Sequence, residues 1–213
     1  MQTSDLIERL AADLTPVSSR AALARLSVGL LVGGLITLAL VWLVLGPRSD
    51  LSEAVLTVAF WRKWIYALAV AVAGVWICLR LARPEGAPGS LVLVLCVPLV
   101  VLGSAALIEL RATAPDDRVD LWLGQSALMC PWLIAVLALP VFAGVLWAFR
   151  RFAPTRPRLA GFGAGCLAGA VAAFLYAIHC NESAAAFVAS WYTAGMLIPG
   201  LIGMWVGPRL LRW

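Results

Sequence analysis

Six long stretches without a single charged side chain divide this sequence, and they constrain its fold more than any other feature. They cover 26–47, 64–79, 86–108, 121–149, 159–178 and 183–208. A helix needs roughly 20 apolar residues to cross the ~30 Å hydrocarbon core of a bilayer. Five of the six stretches are that long. The sixth, 64–79, is short, but Lys63 and Arg80 flank it and their long side chains can snorkel to the interfaces. The expected fold class is an all-α integral membrane protein, a bundle of six transmembrane helices. Only 13% of the residues are charged, against about 25% in a soluble domain. The 213 residues are nearly used up by six spans and their turns. The expected organisation is a cytoplasmic tail at 1–24 and one bundle at 25–213. Asp5, Glu8 and Asp13 interrupt the segment ahead of the first apolar run, so the N-terminal region reads as a tail before a retained span rather than as a secretory signal.

Orientation follows from the arginines. With six spans, eleven Lys and Arg fall on the side of the two termini and five on the other. Basic residues collect on the cytoplasmic side, which puts both termini in the cytoplasm of a multi-pass inner-membrane protein. The net charge of +5 then follows from topology and needs no nucleic-acid partner. Gly161, Gly165, Gly169, Ala173 and Ala177 recur every four residues and present one small-residue face, on which helix backbones approach closely in lipid. Gly29 and Gly33 are a shorter version. Pro98, Pro140 and Pro199 lie inside spans and bend them. Short connections at 150–157 and 181–183 make spans four, five and six antiparallel neighbours.

Five cysteines rule out a fully paired set within one chain. Cys78, Cys96 and Cys166 read as small apolar core residues. Cys130 and Cys180 differ. Counted from the arginines at 150 and 158, they lie about 30 and 33 Å above the same interface at 1.5 Å per residue. Two thiols are thereby expected at nearly equal height on the outer rim, where disulfides are permitted. The pair has two readings, a functional site or packing. His179 adjoins Cys180 and Met129 adjoins Cys130, and such soft and borderline donors suit a heavy-metal ion. His179 alone reads equally as the cap of a helix C-terminus. In the tail, Leu6, Ile7, Leu10 and Leu14 form a helical stripe with Asp5, Glu8, Arg9 and Asp13 off it. Asp5 and Glu8 stand at capping-box spacing, and Pro16 ends the helix. The stripe suits a membrane surface or a groove on a soluble partner. The sequence carries no zinc-protease, CxxC, phosphate-loop or nucleophile-elbow motif and no mid-span charge of the kind transporters use. An enzyme and an ion transporter are both disfavoured.

The segments DLIERLAADLTPV, MCPW, RPRLAG, HC and GPRLLRW, in that order between Asp5 and Trp213, resemble the NrsF family across nearly the whole chain. The resemblance implies an inner-membrane anti-sigma factor without enzymatic activity. Its tail, around Asp5, Leu6, Ile7, Leu10 and Leu14, would hold an extracytoplasmic-function sigma factor. Its periplasmic Cys130 and Cys180 would sense heavy metals or oxidants. No constitutive cofactor is expected, only a transient heavy-metal ion at Cys130, Cys180 and His179. The expected partners are that sigma factor and the lipid bilayer, with no direct nucleic-acid contact. Two other classes stand beside this reading: a quinone-linked membrane thiol oxidoreductase and a small metal exporter.

Overall fold

The computed structural model describes residues 19–83, 89, 91–152 and 154–211. The tail residues Asp5, Leu6, Ile7, Leu10 and Leu14 lie outside the described residues. Among the described residues every regular element is helical. Helix α1 (Ser19–Leu40) runs on through a π turn, Val41–Leu45. Helix α2 is Val58–Leu81 and α3 is Leu91–Ala112. Helices α4 (Cys130–Leu137) and α5 (Leu139–Phe149) form one bent rod with an angle of 41°. Helix α6 is Pro157–Tyr176. Helix α7 (Thr193–Leu210) follows a turn of helix at Ala185–Phe187 and a second π turn at Val188–Tyr192. Five helices are long and apolar enough to cross a bilayer, six with the bent rod counted as one span.

Helix α6 is the centre. In its most apolar window 67% of the residues are buried, against 11% in α3. The small-residue face explains this position. Gly161 lies against Gly203 and Gly207, Gly165 against Pro199 and Gly200, and Gly169 against Met196. A methyl group at any of these positions would strike α7 backbone, so the two helices touch main chain to main chain. Packing at this distance maximises dispersion contacts where no hydrophobic force separates helix from lipid. Gly29 meets Gly144, and Gly33 meets Pro140 and Val141, in the same manner between α1 and α5. The rod α4–α5 thus sits against both α6 and α1. Large apolar residues face outward around the bundle, among them Leu43 (80% exposed), Val97 (62%) and Trp205 (71%). In water such a surface would be an aggregation liability.

The apolar stretch 121–149 is not one helix. Arg118–Leu123 is a separate short helix, ended by Gly124 at φ +54°. The bent rod starts only at Cys130. Its bend falls beside Pro140, which removes one backbone donor, and the buried Thr37 Oγ1 donates to the nearby Leu137 carbonyl at 2.9 Å. Pro98 and Pro199 lie inside unbroken helices. Cys78 is buried and Cys166 half-buried, but Cys96 is exposed on α3 rather than in the core, because that helix is peripheral.

Lys63 also departs from expectation. It does not snorkel outward; it is 0% exposed. Its Nζ donates to the Cys180 and Glu182 carbonyls, each at 2.8 Å, and lies 5.5 Å from the centre of the Tyr192 ring. The turn after α6 has two unsatisfied carbonyls to offer, and the ammonium satisfies both inside the protein. That is a better solution for a buried charge than an apolar environment.

Two outcomes follow. Gly161→Leu should destabilise the detergent-solubilised protein by about 1–3 kcal/mol, read as a lower thermal midpoint. Gly34→Leu, where an added Cβ meets nothing within 4 Å, should leave the midpoint unchanged. Lys63→Met should cost about 1–3 kcal/mol for each carbonyl left without a donor, with faster amide exchange across residues 178–184 than elsewhere.

Candidate functional site

The helix ends that carry Cys130 and Cys180 meet at one pole of the bundle. Cys130 is the first residue of α4. Cys180 lies just past α6, where the backbone of 177–180 closes with bonds from Ile178, His179 and Cys180 amides to the Leu175 and Tyr176 carbonyls. Both thiols are buried, at 0% and 4% exposure, and the Cys130 thiol donates to the Cys180 sulfur. The Tyr176 hydroxyl donates to Cys130 from the other side. The Tyr192 hydroxyl is fully buried against Cys180, yet among the described residues it makes no well-formed hydrogen bond.

The hydrogen bond from Cys130 draws the Cys180 thiol below its ordinary range, and the Lys63 ammonium adds to this while burial opposes it. A thiolate is the form that reacts with electrophiles and binds metals. Two thiols already in contact can close a disulfide or bridge a soft ion with little movement. Among the described residues no three His, Cys, Asp or Glu side chains are arranged to hold a metal. A four-ligand cage of the structural-zinc kind is therefore not what these residues build.

The expected third donor, His179, uses one of its two ring nitrogens to brace the backbone. Its Nδ1 is 2.9 Å from the Gly46 carbonyl, which ties the end of α6 to the end of α1. Arg48 reinforces that tie. Its guanidinium pairs with Asp50 at 2.6 Å and reaches the Cys180 carbonyl at 3.4 Å, and its amide donates to Ile178. The Arg48 hydrogen bonds hold the Asp50 carboxyl below the usual carboxylate range. Glu182 reaches across to the turn before α4, where its Oε1 accepts from the Gln125 amide at 2.7 Å and from Ser126 at 3.3 Å. Glycine at 124 leaves the space for that carboxylate. Arg62 donates to the Ser183 carbonyl at 2.8 Å and pairs with Glu109 at 3.5 Å. Glu109 accepts from the Ala185 and Ala186 amides.

The turn at 178–186 is thus bonded to the ends of α1, α2 and α3 and to the turn before α4. Sequence reading had singled out the two thiols but not Lys63, Tyr176 or Tyr192. Lys63 carried one signal, since it is the sole lysine beside fifteen arginines. The tyrosines carried none: Tyr176 is simply the last residue of α6, and the register of Tyr192 depends on the π turn at Val188–Tyr192.

A second cavity, about 380 Å³, lies between α2, α3, α6 and α7 and is lined by Leu95, Cys96, Phe162, Cys166 and Met196 among others. Its polar groups, the Tyr66 and Thr193 hydroxyls, bond one another at 2.7 Å.

The chain matches the family profile described as "NrsF: Negative regulator of sigma F" over residues 10–213. It is 40% identical over 213 residues to the "Probable anti-sigma-F factor NrsF" of Azospira oryzae, and the match covers 100% of both chains. It is 42% identical over 217 residues to the "Anti-sigma-F factor NrsF" of Caulobacter vibrioides, again covering 100% of both. No solved structure matches it. With the family profile and two full-length relatives in agreement, the chain belongs to the NrsF family of negative regulators of sigma F.

Proposed function

We propose that this chain is an inner-membrane anti-sigma factor whose outward-facing cysteine pair governs release of its sigma factor. Anti-sigma factors are regulators rather than enzymes, and family membership carries that part of the reading. The observation that carries the rest is the contact between the Cys130 and Cys180 thiols at one pole of an apolar bundle. The poles differ in charge. By chain position the described acidic residues, from Asp50 to Glu182, share the cysteine pole with Arg48, Arg62, Lys63, Arg111 and Arg118, while Arg80, Arg150, Arg151, Arg156, Arg158 and Arg209 at the opposite pole have no described acidic residue among them. By the positive-inside rule the arginine pole faces the cytoplasm, with the N-terminal tail beside it. Six spans result, the bent rod counting as one.

The tail segment around Asp5, Leu6, Ile7, Leu10 and Leu14 is the proposed docking segment for an extracytoplasmic-function sigma factor. An amphipathic helix laid in an apolar groove is a common mode of such recognition. At the other pole, oxidation of the thiol pair, or ligation of a heavy-metal ion by it, is the proposed signal. A ligand shifts an equilibrium only by its differential affinity for the two states. Moving from almost fully bound to almost fully released partner takes about 5.5 kcal/mol, and thiolate–metal bonds supply energy of that order. The geometry suits either chemistry, because a disulfide draws the start of α4 toward the end of α6 while an S–metal–S bridge holds the two ends at a fixed wider spacing. His179 can add a third donor through Nε2 while its Nδ1 keeps the Gly46 carbonyl.

Deleting residues 1–15 should leave the protein inserted in the membrane and abolish co-purification of the sigma factor; retained capture by the truncated protein would remove the docking assignment. Cys130→Ser combined with Cys180→Ser should keep repression of sigma-dependent transcription while the response to heavy metals or oxidants disappears. A reporter assay in cells measures this, and an unaltered response in the double variant assigns sensing elsewhere.

A further inference from the structure

The two thiols are not equivalent. A cleft of about 250 Å³ opens at the cysteine pole, lined by Arg48, Gln125, Ser126, Tyr176, His179 and Glu182, and Cys180 forms part of its wall. Cys130 lies behind Cys180, at 0% exposure against 4%, in contact with it through the thiol–thiol hydrogen bond. The Cys180 backbone cannot swing away readily. Its carbonyl is held by Lys63 at 2.8 Å and by Arg48 at 3.4 Å, and Lys63 holds the Glu182 carbonyl as well. Beside the sulfur stands the Tyr192 hydroxyl, fully buried against Cys180 and without a well-formed hydrogen bond among the described residues. A buried hydroxyl is seldom left without a partner. Its position next to the sulfur suits an oxygen that arrives there during reaction.

We propose that Cys180 is the thiol attacked by a hydroperoxide entering the cleft, that Cys130 is the resolving thiol behind it, and that Tyr192 donates a hydrogen bond to the oxygen transferred to Cys180. This rests on the reading of the pair as an oxidant sensor and assigns the order of events within it.

In the first step the Cys180 sulfur attacks the terminal oxygen of the hydroperoxide. An S–O bond forms and the O–O bond breaks. The sulfur is oxidised by two electrons to a sulfenic acid, the peroxide is reduced, and the proton released by the thiol leaves with the alcohol or water. In the second step the Cys130 sulfur attacks Cys180. The S–S bond forms, the S–O bond breaks, and hydroxide departs with the Cys130 proton as water. The balance is two thiols and one hydroperoxide giving one disulfide, one alcohol (or water) and one water. Cys130, with no route of its own to the cleft, reacts only after Cys180. The lowered proton affinity of Cys180 is consistent with this order.

The test uses full-length protein in detergent, with hydrogen peroxide as oxidant and a dimedone probe that traps sulfenic acid. Cys130→Ser should accumulate the adduct on Cys180, and Cys180→Ser should carry at least about tenfold less on Cys130, while the unaltered protein forms the disulfide and little adduct. Equal labelling of the two single variants, or labelling mainly of Cys130, overturns the order. If Cys130→Ser does not fold, Cys130→Ala serves the same purpose. Tyr192→Phe should slow peroxide-dependent adduct formation about tenfold and leave alkylation of Cys180 by N-ethylmaleimide unchanged; an equal fall in both rates overturns the donor role. The sensor reading fails separately, by a normal stress response in cells lacking both cysteines, and that result does not alter these rates.

Discussion

Main-chain contact between α6 and α7 is the constraint on which the rest of the structure depends. In lipid a helix gains nothing from hiding leucine, so helices associate where small residues let backbones meet. Gly161, Gly165 and Gly169 provide that surface on α6, and Gly200, Gly203 and Gly207 answer it on α7. With its small face spent on α7, α6 turns its other sides to α2 and to the rod α4–α5. The residues at its far end, Tyr176, His179 and Cys180, are thereby carried to the centre of the pole. A peripheral α6 would leave Cys180 on the outside of the bundle, away from Cys130, Lys63 and Tyr192.

The same packing bears on how a change at the thiols reaches the opposite pole. Cys130 begins a rod that is broken at Ala138, and the lower half of that rod is locked to α1 through Gly29 and Gly144. Helix α1 leads directly back to the N-terminal tail. A pull on the start of α4 therefore has a stiff path through the 41° bend to the helix that carries the tail. The Thr37 bond to Leu137 crosses that path at the bend. Packed elements move as discrete bodies rather than deforming smoothly, and a rod with a hinge next to a buried threonine is suited to such a shift. On the other side α3 touches the bundle mainly near its cysteine end and has little part in this path.

Much of this was legible in the sequence, for physical reasons. Charge exclusion by hydrocarbon is severe enough that uncharged stretches outline helices, and the four-residue glycine period of α6 announced its packing face. Counting rise per residue from two arginine clusters was enough to bring Cys130 and Cys180 to one height. Other features were hidden. The stretch 121–149 looks continuous because Gly124 and Gln125 carry no charge, yet a positive φ at Gly124 ends the short helix there. Lys63 looked like an interfacial residue because nothing in sequence reveals that two carbonyls of a turn more than a hundred positions later need a donor. Tyr192 reaches the thiols because a π turn shifts its register by a fraction of a helical turn, and that shift leaves no periodic signature.

In the proposed orientation the thiol pole looks outward while the arginine pole and the tail face the cytosol. Single cysteines introduced into a variant without native cysteines test it directly, with Gln125→Cys at one pole and Arg156→Cys at the other, exposed to a membrane-impermeant maleimide in intact spheroplasts. Labelling is expected at position 125 in intact spheroplasts and at position 156 only after permeabilisation. Labelling at 156 but not at 125 in intact spheroplasts would contradict it.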